Sequence, residues 1–142
     1  MDAQQLAEKV RDGMFANDAA AQFLGMEFLA VGPGYAKMQM SVMPQMLNGF
    51  KICHGGLITT LADTAFAYAC NSNNEQTVAS GLAIEFVAPA YEDDLLIAEA
   101  QELTAKGRTG VYDIRITKNT GELVALMRGK SYRIKGKTVI SN

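Results

Sequence analysis

The segment 55–70 constrains the fold more than any other part of the sequence. It has sixteen residues, carries a single charge at Asp63, and begins with Gly55-Gly56 directly after His54. A helical wheel places apolar side chains on one face: Leu57, Ile58, Leu61, Ala65, Tyr68 and Ala69. Small residues accompany Asp63 on the other face: Gly56, Thr59, Thr60, Ala67 and Cys70. Because a surface helix would carry lysines and glutamates there, we predict a central helix with its apolar face on a sheet and its small-residue face against a close partner.

Strand patterns flank this helix on both sides. We predict a short amphipathic helix over 3–16, strands over 23–31 and 36–42, the central helix over 55–70, and strands over 78–87, 95–104, 109–117 and 122–134. The connections are too short for parallel crossovers, so the sheet should be mainly antiparallel. One long helix on one sheet predicts a two-layer α+β fold. At 142 residues, we expect a single domain over 1–142, with an N-terminal helical segment over 1–20.

Composition excludes several classes of protein. The chain is 49% hydrophobic and 20% charged, an ordinary globular balance that argues against wholesale disorder. It has no apolar run of about 18 residues or more, so we expect no membrane span. The N-terminus lacks a basic patch followed by an apolar stretch, which predicts no signal peptide, a cytoplasmic protein, and reduced thiols at Cys53 and Cys70.

Metal and nucleotide-cofactor sites are not expected either. Two cysteines and one histidine cannot form a common four-ligand zinc site, so we predict no metal. The sequence contains neither a P-loop nor a dinucleotide glycine pattern, and we predict no cofactor.

The charge is distributed unevenly along the chain. A formal net charge of −2 argues against a nucleic-acid partner. Residues 1–100 carry twelve acids and four bases, whereas residues 101–142 carry three acids and nine bases. The basic C-terminal part is either a solvated edge strand that discourages aggregation or a site for an anionic ligand such as a nucleotide phosphate.

Asp63 is the candidate acid–base residue. A carboxylate on a face of small residues is costly to bury unless it is paired or useful, and aspartate is a poor residue in a helix interior. Burial would raise its pKa, which suits a general base or a nucleophile. The alternative is a structural Asp63, held by a hidden arginine or by threonine hydroxyls.

The start of the helix is a candidate oxyanion site. Two glycines leave the first backbone N–H groups uncovered, and the positive end of the helix dipole adds to their attraction for a developing oxyanion. The alternative is that Gly55-Gly56 only allows tight packing. His54, directly before the pair, is equally consistent with a structural and a functional role.

The spacing of the two candidates has a consequence for assembly. Gly55 and Asp63 are eight residues apart, or about 12 Å along a helix. One substrate carbonyl cannot contact both within one chain. Two such helices packed antiparallel across a two-fold axis would bring the glycine end of one to Asp63 of the other. If both groups act on one substrate, the protein must be at least a dimer.

The sequence resembles the hotdog-fold acyl-CoA thioesterases, most closely the PaaI-type group of phenylacetate degradation. The likeness runs from about Phe23 to Ile134. Its motifs are His54-Gly55-Gly56, Leu61-Ala62-Asp63-Thr64-Ala65-Phe66-Ala67, the upstream Asn48-Gly49, Ala69-Cys70-Asn71-Ser72 and Thr109-Gly110-Val111-Tyr112-Asp113-Ile114.

The resemblance implies a fold, an assembly and a reaction. It implies a long helix wrapped by a curved antiparallel sheet, homodimers that share a continuous sheet and active sites, and often tetramers. It implies hydrolysis of (hydroxy)phenylacetyl-CoA or a similar aryl or medium-chain acyl-CoA to the free acid and CoA.

The resemblance also assigns roles to residues. Asp63 would attack the thioester or activate water, the N–H of Gly55 would polarise the carbonyl, and His54 and Asn48 would support its placement. The basic C-terminal strand would contact the CoA phosphates. The expected substrate-binding residues are Thr64, Phe86, Val87, Pro89, Arg108, Thr109, Gly110, Val111 and Tyr112.

Two other functions remain as alternatives. A hotdog hydratase or dehydratase usually needs a histidine and a carboxylate that converge on one substrate carbon, whereas the position of His54 suits placement of a carbonyl better. A non-catalytic acyl-CoA-binding protein would not need Asp63. Cys53 is a poor nucleophile candidate, because adjacent residues such as Cys53 and His54 rarely point together.

Overall fold

A computed structural model describes residues 1–141 and shows one long helix packed on a six-stranded sheet. The elements are α1 (Ala3–Phe15), α2 (Ala19–Phe23), β1 (Glu27–Gly32), β2 (Tyr35–Ser41), α3 (Gly55–Cys70), β3 (Glu75–Phe86), β4 (Leu95–Lys106), β5 (Thr109–Lys118) and β6 (Leu123–Thr138), with a 3-10 turn at Pro44–Met46. None of the helices within 1–141 is long and apolar enough to cross a membrane.

The sheet has the strand order β1-β2-β4-β5-β6-β3, and every pairing is antiparallel. The hairpin β1-β2 turns at Gly34, whose φ of 65° is left-handed and suits glycine. Helix α3 contacts all six strands, because the sheet curves around it. The predicted antiparallel α+β architecture is therefore confirmed, and it is the hotdog fold.

Helix α3 has the bounds that the sequence predicts, and its predicted apolar face is buried except at Leu57, which is half-buried. Ile58, Leu61, Ala65, Tyr68 and Ala69 are at most 3% exposed. Ala62 and Phe66 are equally buried, which the helical wheel does not predict. A sheet that curves around a helix buries a wider arc than one face. Gly129 of β6 is part of this fit, since a Cβ there would lie 2.8 Å from the ring of Phe66.

Three strand boundaries differ from the prediction by three or more residues. Strand β3 begins at Glu75, before the predicted start at 78, because Glu75 pairs with the end of β6. The predicted strand 23–31 begins only at Glu27, because Asp18 caps the short helix α2 by accepting from the Ala21 N–H at 3.2 Å. The last strand extends beyond the predicted 134 to Thr138, since it pairs with the start of β3 through Thr138 opposite Glu75. The short helix α2 and the longer β6 bring both ends of the chain next to α3.

Candidate active site

A tight loop leads into the start of α3. The side-chain oxygen of Asn48 accepts the N–H groups of Phe50 (2.9 Å) and Ile52 (3.3 Å). The backbone of Asn48 also exchanges hydrogen bonds with Ile52 and Lys51. These contacts orient the Asn48 amide. Its NH2 group has no acceptor within residues 1–141, so it remains available as a donor.

Gly55 opens onto a cavity of about 390 Å³, lined also by Asn48, Ile58 and the segment 86–90. The N–H of Gly55 belongs to the first turn of α3, which has no intrahelical acceptor for it. A Cβ at this position would lie 3.1 Å from Cζ of Phe86. His54 precedes the helix with an exposed side chain that makes no capping hydrogen bond. Gly55 therefore lines the cavity with an N–H that has no acceptor among the described residues.

Asp63 is half-buried and has no hydrogen-bond or ion-pair partner in the part of the chain that the structure describes. Burial raises its pKa above the ordinary value. The structural alternative would need an arginine or threonine hydroxyls at this carboxylate.

The neighbouring threonine hydroxyls do not donate to Asp63. Thr59 and Thr60 donate to the carbonyls of Gly55 and Gly56, each at 2.8 Å. Thr64 donates to the carbonyl of Thr60 at 2.6 Å. The arrangement therefore favours a catalytic role for the Asp63 carboxylate over a structural one.

Asp63 opens onto a second cavity, of about 620 Å³. Its walls include Phe66 and Ala67 of α3 together with Met14, Asn17 and Thr138 from the two ends of the chain. No residue lines both this cavity and the one at Gly55. Sequence reasoning missed these terminal residues, because nothing in a local pattern reports that residues 14 and 138 meet at position 63.

Strand β3 is an unpaired edge with apolar residues exposed along it. It pairs with β6 only, and Val78, Leu82 and Phe86 are 45%, 42% and 50% exposed. The small-residue face of α3 beside it is also only partly covered, at Thr59, Asp63 and Ala67. A long edge strand with exposed apolar residues is a template for pairing with another chain.

Only some of the predicted substrate-binding residues line the Gly55 cavity or the Asp63 cavity. Phe86, Val87 and Pro89 line the Gly55 cavity. Arg108 lines a separate cavity of about 360 Å³ with Arg133, Lys135 and Lys137. Arg133 is already paired with Glu75 at 2.8 Å, and Arg108 lies 3.4 Å from the hydroxyl of Tyr132. Arg108 and three basic residues of β6 thus converge on one surface depression, consistent with an anion site, whereas Arg128 of the same strand is paired with Asp113 at 2.7 Å.

The other predicted contacts have structural surroundings. The ring of Tyr112 lies 5.3 Å from that of Phe66, and its hydroxyl donates to Glu102 at 2.9 Å. Burial and this carboxylate raise the pKa of Tyr112. A Cβ at Gly110 would lie 2.7 Å from Oγ of Ser131. Substrate contacts by Thr64, Thr109, Gly110, Val111 and Tyr112 stay predictions.

Neither cysteine is suited to nucleophilic attack. Cys53 and Cys70 are free and buried. Burial raises the pKa of Cys53 to about 11 and that of Cys70 to about 12, so both are thiols rather than thiolates near neutral pH. This supports the preference for Asp63 over Cys53.

Known proteins with similar sequences include thioesterases. A family model described as Thioesterase superfamily matches residues 50–125. The acyl-coenzyme A thioesterase PaaI of Escherichia coli is 49% identical over 123 residues, which cover 87% of this chain and 88% of that protein. A putative esterase of Archaeoglobus fulgidus is 38% identical over 130 residues, covering 92% of this chain and 84% of the relative.

A solved structure agrees with the fold in detail. The E. coli PaaI protein from the phenylacetic acid degradation operon superposes with a TM-score of 0.94 at 45% identity, over 96% of this chain and 99% of that one. The resemblance seen in the sequence is therefore confirmed. The chain belongs to the thioesterase superfamily and is a hotdog-fold thioester hydrolase of the PaaI type.

Proposed function

We propose that this thioester hydrolase acts on (hydroxy)phenylacetyl-CoA or a similar aryl or medium-chain acyl-CoA, releasing the free acid and CoA. One observation supports the proposed catalytic residues. The N–H of Gly55 has no acceptor, the carboxylate of Asp63 has no partner, and the two groups open onto different cavities of one protomer. The substrate class is supported by the similarity to the E. coli acyl-coenzyme A thioesterase PaaI.

The active site is shared between two protomers. Antiparallel packing of two α3 helices through their small-residue faces brings Gly55 of one protomer to Asp63 of the other. The unpaired β3 edge then continues the sheet across the two-fold axis and covers Val78, Leu82 and Phe86. Further assembly of dimers into a tetramer, and a cytoplasmic location, stay predictions.

The oxyanion side of the reaction uses groups from the start of α3. The thioester oxygen accepts from the N–H of Gly55, where the helix dipole favours negative charge. Asn48 lines the same cavity, and its free NH2 adds a second donor. His54 flanks this position and supports placement of the carbonyl.

The carboxylate of Asp63 completes hydrolysis by one of two routes. In the first, Asp63 attacks the carbonyl carbon, the C–S bond breaks with release of CoA thiolate, and water cleaves the resulting anhydride. In the second, Asp63 takes a proton from water, and that water attacks the carbonyl carbon before the C–S bond breaks. In both routes the CoA thiolate takes up a proton that comes from the attacking water, so the products are the free acid and the CoA thiol. A raised pKa makes Asp63 the stronger base that either route favours.

The CoA arm leaves along the segment 86–89. Phe86, Val87 and Pro89 are exposed at the mouth of the Gly55 cavity. The depression with Arg108, Arg133, Lys135 and Lys137 supplies positive charge for the CoA phosphates.

A panel of acyl-CoA substrates tests the proposal through release of free thiol. Phenylacetyl-CoA, 4-hydroxyphenylacetyl-CoA, hexanoyl-CoA and acetyl-CoA are compared with the wild-type protein. We expect turnover of the aryl and medium-chain substrates above acetyl-CoA. Binding without thiol release would favour a non-catalytic acyl-CoA-binding protein, and hydration of crotonyl-CoA without thiol release would favour a hydratase.

A further inference from the structure

The two ends of the chain line part of the Asp63 cavity. Gly13 and Met14 at the end of α1, with Asn17 and Asp18 in the turn before α2, form one side of it, and Thr138 and Val139 form another. We call the segments 13–18 and 138–140 the terminal wall. Both lie outside residues 50–125, the part matched by the thioesterase superfamily. The part matched by the family model supplies Asp63, and segments outside that part line the cavity beside it.

The N-terminal half of the wall is fixed to the central helix. Asp18 accepts from the hydroxyl of Tyr68 at 3.0 Å with one carboxylate oxygen and from the Ala21 N–H at 3.2 Å with the other. The rings of Tyr68 and Phe28 pack edge to face at 4.6 Å, and Phe28 packs in the same way on Phe15 at 5.5 Å. The turn therefore has a defined position over the cavity.

The C-terminal half is fixed as well. The side-chain oxygen of Asn74 accepts the N–H groups of Val139 (3.0 Å) and Ile140 (2.9 Å). Ile140 in turn packs so closely on Gly13 that a Cβ at Gly13 would overlap it. The two segments thus contact each other and form one continuous wall.

We propose that the terminal wall selects the acyl group, with Asn17 and Thr138 as specificity-determining residues. The proposal rests on the shared site described above. The thioester carbonyl joins two parts of the substrate. The acyl group ends within the site, whereas the CoA arm must continue to the nucleotide. Buried side chains back both cavities: Phe66 and Cys70 at Asp63, and Cys53, Ile58 and Ala90 at Gly55. Because the CoA arm is assigned to the segment 86–89 at the Gly55 cavity, the acyl group is assigned to the Asp63 cavity.

The charge of the wall defines the class of acyl group. Asp18 and Asp63 are the only charged residues that line the cavity, and no lysine, arginine or histidine lines it among the described residues. Met14, Phe66 and Val78 add apolar surface. Within one protomer's lining, an acyl group with a terminal carboxylate would meet two carboxylates and no cation. The terminal wall therefore admits uncharged acyl groups and rejects dicarboxylic ones.

A charge substitution tests this selection. Asn17 is exposed, so Asn17→Arg should fold normally while it adds a cation to the wall. Glutaryl-CoA is compared with hexanoyl-CoA. We expect the ratio of their kcat/KM values to shift about 10-fold or more toward glutaryl-CoA, a typical size for a change in a specificity pocket. Asn119→Arg, the same change in the exposed turn after β5, should leave the ratio unaltered.

A size substitution tests the other half of the wall. Thr138→Phe places a ring at the exposed end of β6, beside the cavity. We expect kcat/KM for phenylacetyl-CoA to fall about 10-fold further than that for acetyl-CoA, because only the larger acyl group reaches this wall. Equal losses for both substrates, together with altered inhibition by free CoA, would place the CoA arm in this cavity and overturn the proposal.

Binding measurements separate this proposal from the proposed hydrolysis. Non-hydrolysable thioether analogues of glutaryl-CoA and hexanoyl-CoA are titrated into the wild type and Asn17→Arg. A shifted ratio of Kd values without any turnover of the parent thioesters would uphold the terminal wall and overturn the hydrolytic function. An unchanged Kd ratio with normal turnover would overturn the terminal wall alone.

Discussion

Gly55 and Asp63 lie on the same helix, yet they open onto different cavities of the protomer. Eight residues of helix separate them, or about 12 Å. Gly55 faces the segment 86–90, and Asp63 faces the terminal wall. A carbonyl that contacts both groups must therefore lie between two protomers, and the catalytic predictions below depend on this relationship.

Replacing the carboxylate of Asp63 should remove activity without removing the fold. Asparagine has a similar shape but cannot act as a base or a nucleophile, so Asp63→Asn should lower kcat for phenylacetyl-CoA by at least about 100-fold. Asp12→Asn, on the exposed surface of α1, is the matched control and should retain wild-type turnover. Turnover of Asp63→Asn within a few-fold of the control would refute the assigned role.

The same carboxylate should oppose folding at neutral pH. Burial gives Asp63 a higher pKa in the folded state than in the unfolded state, so its ionised form destabilises the fold above that pKa. Asp63→Asn should therefore raise Tm at pH 7. The difference should shrink as the pH falls through the raised pKa and vanish below the unfolded-state pKa. Thermal melts of both proteins from pH 7 to about pH 3 measure this, since the ordinary pKa of aspartate is 3.8, and a gain that grows toward acid pH would contradict the assignment.

Occupying the space at Gly55 should impair the oxyanion site. A Cβ would lie 3.1 Å from the ring of Phe86, and a branched side chain would crowd the N–H as well. Gly55→Val should lose about 2.7–4 kcal/mol of transition-state stabilisation, the usual cost of losing an oxyanion donor. Gly49→Ala is a suitable control, since a Cβ there meets nothing within 4 Å. Normal kcat/KM in Gly55→Val would remove Gly55 from the site.

The two functions of the Asn48 side chain can be separated. Asn48→Asp retains the oxygen that accepts from Phe50 and Ile52 but loses the NH2 donor. We expect a Tm near that of the wild type and a kcat lower by about 100-fold, in the range of one lost oxyanion donor. Asn48→Ala should lower both, because the loop loses its two acceptor contacts. Full activity in Asn48→Asp would show that the NH2 group does not meet the substrate.

The sequence predicts the central helix well, for a physical reason. Segment 55–70 carries one charge among sixteen residues, and only a buried helix accommodates that pattern. Its bounds and buried face follow from local periodicity. Phe66 is the informative exception: its burial depends on how far the sheet curves around α3, which no local pattern contains.

The surroundings of Asp63 could not be predicted in the same way. Met14 and Thr138 meet near Asp63 only because α2 redirects the chain at Asp18 and because β6 extends beyond position 134. Both features depend on tertiary contacts, the hydrogen bond from Tyr68 to Asp18 and the pairing of Glu75 with Thr138. Local propensity is a weak guide where such contacts decide the structure.

The most direct test of the shared site is subunit complementation. Asp63→Asn and Gly55→Val proteins, each inactive alone, are mixed under conditions in which exchange of subunits is verified by mass spectrometry. In a mixed dimer, one site carries both defects and the other carries neither. The shared-site account predicts that phenylacetyl-CoA hydrolysis returns, up to about half of wild type per mixed dimer. Persistent inactivity despite verified exchange would mean that each chain holds a complete site, and it would contradict the account.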